Sequence, residues 1–354
     1  MSRFFSEKYS SLEPYTPGEQ PKDMKYVKLN TNESPFPPSK EVYEAVMDES
    51  RKLHLYCDPE SAQITEILAK RYGLEKEQVL VTNGSDEILN FAFMAFCDSK
   101  RGIAFADITY GFYSVFAELN NIPYKIVPLK DDFTVDVNDY IPLEENVVIA
   151  NPNAPTGICL SVSEIERLVS SNKNRIVIID EAYVDFGGES CVSLINKYDN
   201  LLVTMTFSKS RSMAGGRIGF GLGNKELIKD LNTIKYSTNP YNVNRLSQIA
   251  GYTAIKNDKY YMDNCKKIIE AREYTVEKLS GLGFEILPSK ANFIFAKHKK
   301  IDGERLYSEL KARGVLVRHF TKERIKDYNR ITIGTKDQMD ILIKEIISIM
   351  EEAK

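Results

Sequence analysis

The 354-residue chain has no tryptophan, only three histidines (His54, His298, His319), and five cysteines scattered over positions 57, 97, 159, 191 and 265. Histidine this scarce argues against a histidine-rich metal site. An odd, dispersed cysteine set without a C-x-x-C pair reads as reduced thiols, not as a disulfide frame or a zinc site. Charge of one sign is never concentrated: Lys+Arg 47 stand against Asp+Glu 50, for a net charge of −3. A chain without a basic block has nothing to track a nucleic-acid backbone. No segment approaches the apolar length of a membrane span, and the opening M-S-R-F-F-S-E-K-Y lacks the apolar region of a signal peptide. The expected setting is the cytoplasm, with neither nucleic acid nor membrane as partner. Internal repeats and low-complexity tracts are also missing.

What is present is an ordinary globular composition, 43% hydrophobic and 27% charged, at a length that suits a large domain plus a smaller one. Residues 1–38 carry Pro14, Pro17, Pro21, Pro35, Pro37 and Pro38, too many for regular structure, and are expected to run as a surface arm. Helical periodicity over 39–52, 62–72, 85–97, 112–121 and 163–172 alternates with short apolar runs at 147–150, 176–179 and 201–203. Gly73 stops the second helix, and Ser163 with Glu166 has the S-x-x-E spacing of a capping box. Runs apolar on both faces and separated by helices predict an α/β fold with a mainly parallel central sheet between helices over 39–240. Beyond 240, a helical run at 244–282 and strand-like segments at 291–296, 314–318 and 330–334, with a helix near 303–313 and a terminal helix, predict a smaller α+β domain over 241–354.

In such a sheet, ligands are held by loops at the carboxyl ends of the strands. Asp180 ends the apolar run of I-V-I-I-D-E-A-Y, Asn153 lies in N-P-N-A-P-T-G, and Lys209 sits in T-F-S-K-S-R-S-M-A-G-G-R, each at or just past such an end. A lysine that bonds a carbonyl needs a lowered pKa, and a phosphorylated cofactor needs hydroxyls and an arginine. Thr206, Ser208, Lys209 and Arg217 meet both needs within twelve residues. Asp180 could hold a pyridine nitrogen protonated and Tyr183 could bond the ring's 3-oxygen, or the aspartate could merely cap a turn. Gly84-Ser85-Asp86 opens a helix, either as an anion seat or as a plain Asn-Gly turn. Tyr110 either stacks on a planar ring or belongs to the core. G-F-G-L-G (219–223) lacks G-x-G-x-x-G spacing, which weakens a nicotinamide-dinucleotide oxidoreductase reading and suits glycines beside a packed sheet.

These motifs, with L-N-T-N-E-S-P-F-P-P (29–38), Y-C-D-P (56–59), N-G-S-D-E (83–87), V-R-H-F (317–320) and R-I-T-I-G-T (330–335), resemble the fold-type I pyridoxal-phosphate enzymes of the class I/II aminotransferase group over nearly the whole chain. The resemblance implies pyridoxal 5'-phosphate as cofactor, with Lys209 bonded to it and Asp180, Tyr183 and Tyr110 on its ring. It further implies that the Ser85 and Asp86 amides, Thr206, Ser208 and Arg217 take the phosphate, and that Tyr56 reaches in from the second subunit of a homodimer. Where the group often has asparagine before P-T-G, this chain has Ala154, so a contact to the 3-oxygen would come from Asn153, from Tyr183 alone or from water. Arg330 matches the substrate-anion arginine, Arg318 the one that favours a phosphorylated substrate, and Tyr15 adds a hydroxyl. The implied substrates are L-histidinol phosphate and 2-oxoglutarate, giving glutamate, within histidine biosynthesis. Decarboxylation of threonine phosphate and transamination of aromatic amino acids are the alternatives within the same group.

Overall fold

The computed structural model describes residues 2–352. Its centre is a seven-stranded sheet in the order β2-β8-β7-β6-β5-β3-β4. The strands are β2 (Val79–Thr82), β3 (Ile103–Ala106), β4 (Tyr124–Val127), β5 (Asn146–Ala150), β6 (Val177–Asp180), β7 (Leu201–Thr206) and β8 (Gly219–Gly223). All pairings are parallel except those of β8, which runs antiparallel to both β2 and β7. β5, β6 and β7 are buried along their whole length, as their unbroken apolar runs predict for strands covered on both faces.

Helices cover the two faces: α2 (Ala62–Tyr72), α5 (Val162–Ser171) and α7 (Arg245–Lys256) supply residues to one apolar cluster, and α3 (Ser85–Phe96), α4 (Phe112–Leu119) and α6 (Lys225–Thr238) to another. α1 (Lys40–Glu49) packs on α7. Gly73 closes α2 in the left-handed region, at φ 65°, where a glycine carries no Cβ penalty.

A second sheet, β12-β13-β10-β9, is antiparallel throughout and built from β9 (Phe284–Ile286), β10 (Phe293–His298), β12 (Arg318–His319) and β13 (Asn329–Thr332). The long α8 (Asp258–Gly281), α9 (Gly303–Ala312) and α10 (Lys336–Glu352) share its core. The proline-rich start is not wholly irregular. Val27–Lys28 forms β1, parallel to β11 (Val315–Leu316), and the following Leu29, Asn30 and Asn32 are buried.

Three local expectations are corrected. The capping box of α5 is Ser161 with Glu164, because Ser161 is the last residue with extended backbone and Ser163 is already inside the helix; Glu166 instead accepts from Tyr198 and Lys197. The helical run over 244–282 is two helices broken at Asn257. G-F-G-L-G does not lie beside the sheet. It is β8, a fully buried strand of it.

Candidate active site

The carboxyl ends of β5, β6 and β7 open into a cavity walled by Ala150, Asp180, Thr206, Ser208 and Lys209. Ser85 and Asp86 from the start of α3, Tyr110, Tyr183 and Arg217 complete its sides, and Thr31 and Glu33 close it from the segment that follows β1. A sheet with parallel neighbours places its strand ends together in this way, so residues far apart in sequence converge.

Lys209 follows β7 by three residues, and its Nζ donates to the Thr31 carbonyl at 3.1 Å. Burial, reinforced by the charge of Arg330, lowers its pKa to about 8. The amine is therefore available as a nucleophile far below the pH at which a surface lysine would be. Asp180, the last residue of β6, accepts from the Tyr113 hydroxyl at 2.9 Å and from Thr204 Oγ1 at 3.4 Å. Burial raises its pKa to about 6. A buried carboxylate in that condition favours a cationic partner such as a protonated ring nitrogen. Tyr183 stands edge-on to Phe293, with centroids 5.0 Å apart, and its phenol oxygen accepts from Asn32 Nδ2 at 3.0 Å.

The opposite end of the cavity is an anion seat. Gly84, at φ 84°, turns the chain into α3, whose first N–H groups have no partner within the helix. Gly219 lies so close that a Cβ there would be 2.3 Å from Gly84 C and Ser85 N. β8 thus presses the Gly84 turn against the sheet near the hydroxyls of Thr206 and Ser208, which bond each other at 3.0 Å. Arg217 reaches the same place and pairs with Asp86 at 3.2 Å, while the Tyr110 hydroxyl donates to the other Asp86 oxygen at 2.7 Å. One lysine with a depressed pKa, a buried carboxylate and a phosphate-sized donor set fit pyridoxal 5'-phosphate in chemistry and in order.

Arg318 and Arg330 are direct register partners across β12 and β13, so their side chains share a face. Both guanidinium groups lie over the Phe320 ring, at 5.8 and 5.9 Å, and Arg330 Nη2 donates to the Asn30 carbonyl at 2.8 Å. Tyr15 stacks on Phe112 at 4.1 Å, with its ring 6.3 Å from that of Tyr110.

Of the expected residues, Asn153, Tyr56, Tyr15, Arg318 and Arg330 are not among those that wall the cavity. The Asn153 side chain donates to the Ile108 carbonyl and to Thr156 and accepts from Thr109, so it is consumed in holding its own loop; the neighbouring Ala154 takes the place in the wall. Tyr56, expected to serve the site of a second subunit, is 80% exposed and stacks on Tyr241. Conversely, Thr31, Asn32, Glu33 and Tyr113 were not singled out from the sequence. The run N-T-N-E was visible there, but nothing in its spacing says that it passes beside Lys209.

Residues 24–346 match the family of class I and II aminotransferases. The chain belongs to that family. The aminotransferase is 51% identical to the histidinol-phosphate aminotransferase of Brachyspira hyodysenteriae over 353 residues, 99% of this chain and all of that one. Its fold matches the histidinol-phosphate aminotransferase of Sinorhizobium meliloti, solved in complex with pyridoxal-5'-phosphate, with a TM-score of 0.84 at 22% identity, covering 93% of this chain and 92% of that one. It also matches the L-threonine-O-3-phosphate decarboxylase of Porphyromonas gingivalis, with a TM-score of 0.78 at 22% identity over 92% of this chain and 99% of that one. Shape alone therefore does not choose between transamination and decarboxylation. Family membership, together with a G-F-G-L-G buried as a strand, disposes of the dinucleotide oxidoreductase reading.

Proposed function

We propose that this chain is a pyridoxal-phosphate-dependent aminotransferase that takes the amino group of L-histidinol phosphate and passes it to 2-oxoglutarate, giving imidazole acetol phosphate and L-glutamate in histidine biosynthesis. The observation that carries the substrate is the facing pair Arg318 and Arg330 over Phe320, next to the lysine cavity. Histidinol phosphate has a phosphate and no carboxylate, while glutamate has two carboxylates. Two adjacent guanidinium groups can grip either anion in its own half-reaction. The high full-length identity to a relative named for histidinol phosphate supports the same choice.

When bound, the cofactor supplies a ring that accepts the electron pair left at the substrate's α-carbon. Every other task falls to the chain. Lys209 would hold the cofactor and, once the substrate's amino group has displaced it, its free amine would move the proton between the substrate's α-carbon and the cofactor's C4' atom. Asp180 would keep the ring nitrogen protonated, and Tyr183 would donate to the 3-oxygen. The Ser85 and Asp86 backbone amides, Thr206, Ser208 and Arg217 would hold the phosphate, Tyr110 would lie against the ring, and Tyr15 would add its hydroxyl beside the two arginines.

In this reading the enzyme is a cytoplasmic homodimer, in which Tyr56 completes the neighbour's site. The exposed Tyr43, Met47, Leu53, Leu55 and Tyr56 support a contact surface along that stretch. The test is a steady-state comparison of histidinol phosphate, phenylalanine and threonine phosphate as amine donors with 2-oxoglutarate. Histidinol phosphate is expected to have the highest kcat/KM, by about a hundredfold or more for a substrate whose ionic group meets both arginines. Release of carbon dioxide from threonine phosphate without an oxo acid would overturn the assignment.

A further inference from the structure

The four residues Asn30 to Glu33 cross the site between the two sheets, and successive residues touch different parts of it. The Asn30 carbonyl accepts from Arg330, the Thr31 carbonyl accepts from Lys209, and the Asn32 amide donates to Tyr183. Asn32 is 1% exposed and fully engaged. Its N–H donates to Thr332 Oγ1 at 2.9 Å, its Oδ1 accepts from the same hydroxyl at 3.0 Å, and its carbonyl accepts from Asn292 Nδ2 at 2.9 Å. Both ends of the side chain are thereby assigned. Because Oδ1 is held by Thr332, the NH₂ group has to face the phenol, and an NH₂ group can only donate.

This has a consequence for the Tyr183 proton. A phenol oxygen that receives a hydrogen bond from Asn32 cannot point its own O–H back along the same line. The hydroxyl must donate elsewhere, and the side of the ring open to it is the cavity, where Ala154 offers neither donor nor acceptor in its side chain. Asn32 also has φ 57°, a left-handed conformation that asparagine tolerates better than most residues. The position thus needs both this backbone and this side chain.

We propose that Asn32 is a positioning residue: it fixes the Tyr183 hydroxyl as a donor toward the 3-oxygen of the cofactor, a task that no side chain at position 154 shares. This inference rests on the pyridoxal-phosphate reading of the same cavity. It extends that reading to a residue on the proline-rich segment, outside the strand-end loops.

The experiment uses purified apoprotein reconstituted with pyridoxal 5'-phosphate, reading the dissociation constant and the pH midpoint of the visible band, with thermal melting of the apoprotein alongside. Asn32→Gly keeps the positive φ and the N–H bond to Thr332 but loses the donor. Asn32→Asp keeps the acceptor for Thr332 and turns the phenol proton toward itself. Loss of one hydrogen bond predicts cofactor binding weaker by about tenfold in Asn32→Gly, and weaker still in Asn32→Asp. The band midpoint should move in the same direction as in Tyr183→Phe. In the Tyr183→Phe background, Asn32→Gly should change neither quantity further, whatever it does to the melting temperature. Wild-type values in both Asn32 variants, or effects that add fully to those of Tyr183→Phe, would overturn the proposal. Failure of the underlying reading looks different, because wild-type apoprotein would then show no visible band on reconstitution. Should Asn32→Gly not fold, Asn32→Asp and its double variant with Tyr183→Phe decide the question by themselves.

Discussion

At the end of the cavity built by the seven-stranded sheet, Arg217 is paired with Asp86, and Asp180 accepts from Tyr113 and Thr204. At the end built by the four-stranded sheet, Arg318 and Arg330 face one another across β12 and β13, and neither forms an ion pair among the described residues. Glu19, whose carboxylate feels Arg318, is held instead by Lys311 and Tyr307. At the first end Arg217 already has its counter-charge and Asp180 its hydrogen bonds before any ligand arrives, although Asp180 has no cationic partner. The second keeps two like charges opposed, at a cost that only an incoming anion removes. That division suits a resident cofactor at one end and substrates that must leave at the other, since an anion relieving a standing repulsion is drawn in without needing many contacts.

The largest expected effect lies at the cofactor end. Lys209→Ala should lower steady turnover by about 10⁴-fold or more, because it removes the covalent anchor and the proton carrier together. It should also abolish the visible band of the reconstituted protein; retention of either property would end the comparison as drawn. At the substrate end, Arg318→Gln should raise KM for the phosphorylated donor by roughly thirtyfold or more, as expected for truncating one partner of a charged contact. The same variant should leave the unliganded protein slightly more stable, by about 1 °C in Tm, because a repulsion has been removed. A fall in Tm would show that Arg318 is compensated after all.

The smallest effect is a pH dependence. Lys209 in the fold takes up its proton only below about 8, against an ordinary value of 10.5, because the ammonium would be buried. Between those values the unfolded chain binds more protons than the folded one, so this residue makes stability rise with pH across that window. Below about 8 the penalty is complete. Apoprotein of Lys209→Met should lack that slope in denaturant titrations. The rate at which wild-type apoprotein captures pyridoxal 5'-phosphate should climb with pH and level off above about 8.

Three of the seven central strands, β5, β6 and β7, and the lysine end of the site were legible in the sequence for a physical reason, whereas β2 and β3 were not read as strands although every residue in them is buried. Val147–Ala150, Val177–Ile179 and Leu201–Val203 are buried on both faces, so they read as continuous apolar runs, with Asp180 at the end of β6 and Lys209 just past the end of β7. β8 was not recognised as a strand, because its glycines have no side chains to alternate. β4 was missed because three of its four residues are exposed and it lies at the sheet edge. Asn32 and Tyr113 act through contacts that span 151 and 67 residues of chain, which no local pattern encodes. Asn153 was expected at the cofactor because its motif suggested it. Its amide is spent on Ile108, Thr109 and Thr156, a fact that only the loop's closure reveals.

The alternate glycines of β8 carry one more implication. Gly219 and Gly221 leave room for the start of α3 to settle directly on the strand, with a Cβ at Gly221 falling 2.8 Å from Ile88. β2 and α3 are made early in the chain and β8 much later, yet β8 must lie between β2 and β7 before the seat beneath Gly84 exists. A sheet without β8 has the hydroxyls of Thr206 and Ser208 but lacks the strand on which the Gly84 turn rests. Loading therefore doubles as an inspection of the finished molecule: the cofactor's free energy accrues in full to chains whose last central strand has been inserted, and mass action retains those in preference to the rest.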